Sequence, residues 1–133
     1  MSQIAMATIM DAITSTLTSG GRTEAMYPFP ADAIVAPCWV VGYPKNIDYD
    51  ETFGRGSDRA VFPVWHIVAR NDPRSTRDAL SAVIAGASSI KTILDGTLGG
   101  AVQTCRVTDC QPTFIEIGGV PYAAGEFTLE VLT

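Results

Sequence analysis

The chain has 133 residues, of which 47% are hydrophobic and 17% charged, and its formal net charge is -5. That length holds one domain with one core, and the apolar fraction excludes a disordered chain. A pI of about 4.6 without any basic run excludes the phosphate neutralisation on which tight, sequence-specific nucleic-acid binding rests.

Charges are sparse for so small a domain, and the mean hydropathy is +0.20. A small domain has much surface for its volume, so the shortage implies that other subunits cover part of it. Met1-Ser2-Gln3-Ile4 lacks the positive segment that opens a signal peptide. No apolar run reaches the roughly 18 residues that span a bilayer. Cys38, Cys105 and Cys110 form an odd set without CxxC spacing and read as reduced, mostly buried thiols. The expectation is a soluble protein made in a cytoplasm.

In chain order, the first element is an amphipathic helix over residues 2–18. Met6, Ile9, Met10, Ile13 and Leu17 recur at helical spacing, and Ser19-Gly20-Gly21 ends it. Residues 22–37, with Pro28, Pro30 and Pro37, read as an extended, irregular connection. Cys38 to Tyr43 is a strand bounded by prolines. A polar loop follows over residues 45–59, and its length, polarity and glycines suit a projection from the sheet. Val61 to Arg70 is a second strand, apolar on both faces and therefore covered on both, with Pro63 near its start, at an edge or a bulge.

Asp72 as N-cap and Pro73 at the first helical position open a helix that Gly86 ends. A shorter helix, Ser89 to Leu94, precedes Asp95-Gly96. Two strands close the chain, about Val102 to Cys110 and Tyr122 to Leu132, within a hairpin over 101–133. Cys105, Val107, Phe127, Leu129 and Val131 face inward. Arg106, Glu126, Thr128 and Glu130 face outward, placing Arg106 near Glu126 or Glu130. A two-residue turn at Gly118-Gly119 sets odd residues opposite even ones, which puts Val107 on the wrong face. One residue must be absorbed, by a bulge around Pro112 or by a longer loop. The fold class is α+β: a four-stranded antiparallel sheet with helices on one side, in the order α-β-β-α-α-β-β, forming one domain over 1–133.

The search for chemistry finds no catalytic, metal or cofactor site, and the expectation is a non-enzyme without cofactors. His66, the only histidine, lies in an apolar strand and reads as structural. The Gly54-Arg55-Gly56-Ser57-Asp58 loop matches neither phosphate-binding glycine motif. Asp48, Asp50 and Glu51 lack the spacing and the glycine of a calcium loop. Asp48, Asp50, Glu51, Arg55, Asp58 and Arg59 are instead candidates for a contact toward a partner or a lumen. Trp39, Arg106, Glu126 and Glu130 are candidates for subunit contacts, since large aromatics anchor interfaces. Trp65 is a weaker candidate, read as core.

The run Ser88-Ser89-Ile90-Lys91-Thr92-Ile93-Leu94-Asp95-Gly96-Thr97-Leu98-Gly99-Gly100-Ala101-Val102 resembles the tail-terminator proteins of long-tailed bacteriophages. There a short S-[IV]-K-x-x-[IL] helix precedes a T-L-G-G-x-V turn and a hairpin. Val64 to Ala69 and Arg70-Asn71-Asp72-Pro73-Arg74 match the strand and helix opening before it, and Gly119, Tyr122, Phe127, Leu129 and Val131 match the closing pattern. The likeness covers residues 60–133, and the first 60 only by element order. The chain departs from the pattern at Asn71 and in its proline-rich connection. The resemblance implies a virion protein forming a hexameric ring on the head-proximal end of the tail tube. It would meet the tail-tube protein on one face and the head-closure protein on the other, while DNA passes through without sequence-specific binding. Another neck or tail component, head-closure or tube subunit, is the neighbouring reading. A small-ligand-binding domain with a pocket at His66 is the reading from another class.

Overall fold

The computed structural model describes residues 6–22, 24–29, 33–35, 37–48, 58–68, 73–100, 102 and 104–132. Helix α1 (Met6–Ser19) buries Ile9, Met10, Ile13 and Leu17 as one stripe, each contributing roughly 1.5–3 kcal/mol by leaving water. It stops in a Schellman motif, with Arg22 N–H bonded to Leu17 O at 3.1 Å and Gly21 N–H to Thr18 O at 3.1 Å. That turn needs a left-handed residue, and Gly21 supplies it at φ 97°.

Strands β1 (Ala25–Tyr27), β2 (Cys38–Val41), β3 (Asn46–Asp48) and β4 (Arg59–Ile67) follow, then helices α2 (Pro73–Ala85) and α3 (Ala87–Leu94). A 3₁₀ turn (Leu98–Gly100) leads to the long strands β5 (Thr104–Ile117) and β6 (Val120–Leu132). The strand order is β1-β2-β4-β6-β5, and β3 lies beside β4 beyond the end of β2.

The α+β class and the helices on one side hold. The purely antiparallel four-stranded sheet and the stated element order do not: β1 and β3 are additional strands, and β1 runs parallel to β2. Each is three residues long, too short for alternation to register, and each is recruited by a longer neighbour. Of the loop expected over 45–59, residues 46–48 form β3 and Arg59 opens β4, while residues 49–57 lie outside the described residues. Helix α2 starts at Pro73 as expected, and its expected cap Asp72 lies outside the described residues.

Two irregularities tune the sheet. Residues 42–45 between β2 and β3 oppose only Phe62 and Pro63 of β4. Pro63 thus sits at a bulge, but in mid-strand and not near the start. Its carbonyl accepts from Gly42 N–H at 2.9 Å, so its missing donor falls on the bulged side, where no regular ladder needs it. In the hairpin, Gly118 and Gly119 (φ 59° and 80°) form the two-residue turn. The required extra residue is Thr108, between Val107 and Asp109, and not one near Pro112. With that bulge, Val107 pairs with Leu129 and both face the helices.

The main core lies between helices and sheet, built on Trp39, Val41, Phe62, Val64, Phe127, Leu129 and Val131. Across the sheet is a smaller cluster of Cys38, Val40, Ile67 and Ala124. Tyr27, Ile34, Trp65, Ile115, Ile117 and Tyr122 stand half-buried around it. Strand β4 is apolar on both faces for this reason.

Candidate functional site

Two polar constellations sit on the sheet, one on each side. On the helix side, the Schellman stop of α1 delivers Arg22 to the sheet edge, where its Nη2 pairs with Glu24 Oε2 at 3.1 Å. Glu24 Oε1 accepts from Trp39 Nε1 at 3.1 Å. The Arg22 guanidinium lies 5.6 Å from the Trp39 ring centroid. Trp39 and His66, cross-strand partners on β2 and β4, stack with centroids 4.1 Å apart and planes 11° apart.

His66 is 9% exposed. Burial drives its pKa down, Glu24 opposes this and Arg22 adds to it, leaving it at about 4. The imidazole is therefore neutral at physiological pH. For Glu24, burial acts to raise the pKa, but the Trp39 hydrogen bond and the Arg22 charge outweigh it, and the carboxyl stays below its usual range. A cavity of about 170 Å³ opens beside His66, walled by Arg22, Ala82, Val83, Gly86 and Ile90.

On the opposite face, Glu126 gathers donors from distant parts of the chain. Trp65 Nε1 donates to its Oε1 at 2.9 Å, and Lys45 Nζ to its Oε2 at 3.0 Å. Gln111 Nε2 reaches the same Oε2 at 3.5 Å. Burial pushes the Glu126 pKa up, yet these hydrogen bonds and the Lys45 charge leave it lowered. Toward the far end of this face, Glu130 lies opposite Arg106 on β5 and 3.8 Å from Arg59 Nη2. Arg59, Arg106, Glu130, Thr104, Cys105 and Leu132 line a recess of about 230 Å³ there.

These positions sort the candidates drawn from the sequence. Arg106 does face Glu130, while Glu126 faces Gln111. Trp39, expected at a subunit contact, is 0% exposed and has no surface to offer. It belongs to the core, because odd-numbered residues of β2 point at the helices. Trp65, read as core, is the half-buried tryptophan on the face without helices. Asp58 is 3% exposed at the start of β4. Asp50, Glu51 and Arg55 lie outside the described residues, as does the side chain of Asp48.

Sequence reasoning passed over Arg22, Glu24, Lys45 and Gln111, which sit in stretches read as connection, loop or strand end. The glycine stop before Arg22 was the one local signal that a side chain would be placed there.

Chemically, both constellations offer paired charges and hydrogen-bond donors and acceptors, and Cys105 is the thiol beside the Arg59–Glu130 recess. Burial lifts the thiols of Cys38 and Cys105 to about 11, so they stay protonated. Among the described residues, no three His, Cys, Asp or Glu side chains converge as a metal site would require. No helix there is long and apolar enough to cross a membrane. No family model and no curated protein matches this sequence.

Proposed function

We propose that this chain is a structural protein of a bacteriophage virion, the terminator that rings the head-proximal end of the tail tube. The observation that carries this reading is the two-sided sheet. Among the described residues the helices cover one face only, while the other presents Trp65, Ile115, Ile117 and Tyr122 half-buried around a small apolar cluster. Aromatic and aliphatic surface of this kind, bordered by the Lys45–Glu126 and Arg59–Glu130 pairs, suits heterologous subunit contacts in a closed ring. The resemblance along Ser88 to Val102 and in the closing strands supplies the identity of the ring, a hexamer between the tail-tube and head-closure proteins. A net charge of -5 lets DNA pass without being gripped.

A stop codon early in the gene, followed by negative-stain electron microscopy, tests the proposal. DNA-filled heads beside unjoined tails of variable length are the expected result. Complete loss of tails would point to a tube subunit or an initiator instead, and normal joined particles to a role outside the virion. The second reading, a ligand-binding domain, draws on the His66 cavity. At about 170 Å³ it falls short of the ~300–1,000 Å³ of typical small-molecule sites. A thermal-shift screen against metabolites larger than a short-chain acid separates the two.

A further inference from the structure

We propose that the cavity beside His66 binds a carboxylate carried on a short apolar stem, held by Arg22 and His66. This inference stands apart from the ring reading and does not need it.

Two polar groups, His66 and Arg22, border the cavity. His66 is nine-tenths buried, is held flat against Trp39 and lines the cavity. Arg22 commits Nη2 to Glu24, and its Nε–H is buried with no acceptor. A buried donor left unmade is costly, and such groups point to an absent water or ligand. The remaining walls, Ala82, Val83, Gly86 and Ile90, are apolar, which disfavours filling the space with water alone. Guanidinium and imidazole on one side with aliphatic walls on the other match a carboxylate followed by one or two carbons.

The charge balance works. Glu24 already offsets Arg22, so an arriving carboxylate is compensated by a proton taken up on His66. The charged groups facing His66 are Glu24 and Arg22, and the cavity walls from α2 and α3 carry none. Binding therefore strengthens as pH falls from neutral toward mildly acidic. The same chemistry is offered by a free short-chain acid or by an Asp or Glu side chain of a second copy of the chain.

His66 is the only histidine, so its imidazole resonances report on the site without ambiguity. The full chain, isotope-labelled, is titrated with sodium propionate against a sodium chloride control. The expected result is a saturable shift of the His66 resonances with propionate only. The apparent affinity should fall at least about tenfold in Arg22→Gln and in Ala82→Leu. Ala82 is an exposed helix position, so Ala82→Leu fills the cavity entrance without touching the core and carries the test if Arg22→Gln fails to fold. A linear shift matched by chloride, or Ala82→Leu binding propionate like the parent, overturns the proposal. Sedimentation velocity then assigns the source. Multimers broken by saturating propionate mean that a second copy supplies the carboxylate, and an unchanged sedimentation coefficient means a free acid.

Discussion

Trp39 and Trp65 are near neighbours with opposite fates. They lie on adjacent strands, Trp65 directly across from Val40 and Trp39 across from His66, and each donates its indole N–H to a glutamate. Trp39 points to the helices and is sealed between Phe127 and His66. Trp65 points to the face where, among the described residues, no helix lies, and it is only half-buried. The pleat alone separates them: one step along a strand turns a core residue into a surface residue. A glutamate partner lets either indole satisfy its N–H, so hydrogen bonding does not distinguish core from surface, and burial does.

The comparison can be broken at several points. Trp39→Ala should cost about 3–5 kcal/mol in urea unfolding, as for other large core truncations. A loss below about 1 kcal/mol would mean that the helix side is not the true core. On the same side, a methyl at Gly125 would meet Val83 Cγ1 at 2.7 Å. Gly125→Ala should therefore cost about 1–3 kcal/mol, and adding Val83→Ala should recover part of it. Additive losses in that double-mutant cycle would show that α2 does not press on β6 there.

The pH dependence sharpens the same contrast. His66 titrates near 4 in the fold against an ordinary 6.5, so between these values the unfolded chain binds more protons than the native one. Stability is fully present above 6.5 and is lost as pH falls toward 4. The loss between about pH 7 and about pH 5 should be roughly 2 kcal/mol, and His66→Phe should abolish it. Glu24 and Glu126 have lowered pKa values, so their contributions are lost only below the ordinary 4.5 and leave this window to His66.

On the open face the effects are smaller. Trp65→Ala should cost about 1–2 kcal/mol, given its half burial. If the ring reading holds, it should reduce self-association in sedimentation far more than it reduces stability. Equal stability losses for Trp39→Ala and Trp65→Ala would erase the distinction between the faces. Lys45→Ala should move stability by less than about 1 kcal/mol, since the lysine is half-exposed and its pair with Glu126 is screened by water.

Much of this was legible in the residues themselves. The buried stripe of α1, the opening of α2 at Pro73, the Gly118-Gly119 turn and the inward set Phe127, Leu129 and Val131 follow from periodicity and turn chemistry. Register arithmetic even required an extra residue in the hairpin, though it looked to Pro112 and the bulge formed at Thr108. Proline marks a weak point in a ladder, but where the ladder yields depends on the neighbouring strand and on what packs above it. The polar clusters were much less legible. Glu126 and Lys45 are 81 positions apart, and nothing local announces that pairing.

The sequence by itself determined the class of fold, the positions of the helices and the alternation along each strand, because these depend on side-chain spacing and short-range backbone preference. Tertiary structure decided which of two equally apolar faces of β4 meets the helices, and so which tryptophan is core. It also decided that three-residue segments become strands, and that Arg22, Glu24, Trp39 and His66 come together, with Arg22 and His66 lining one cavity. Those outcomes depend on packing between segments far apart in the chain, where spacing along the sequence carries no information.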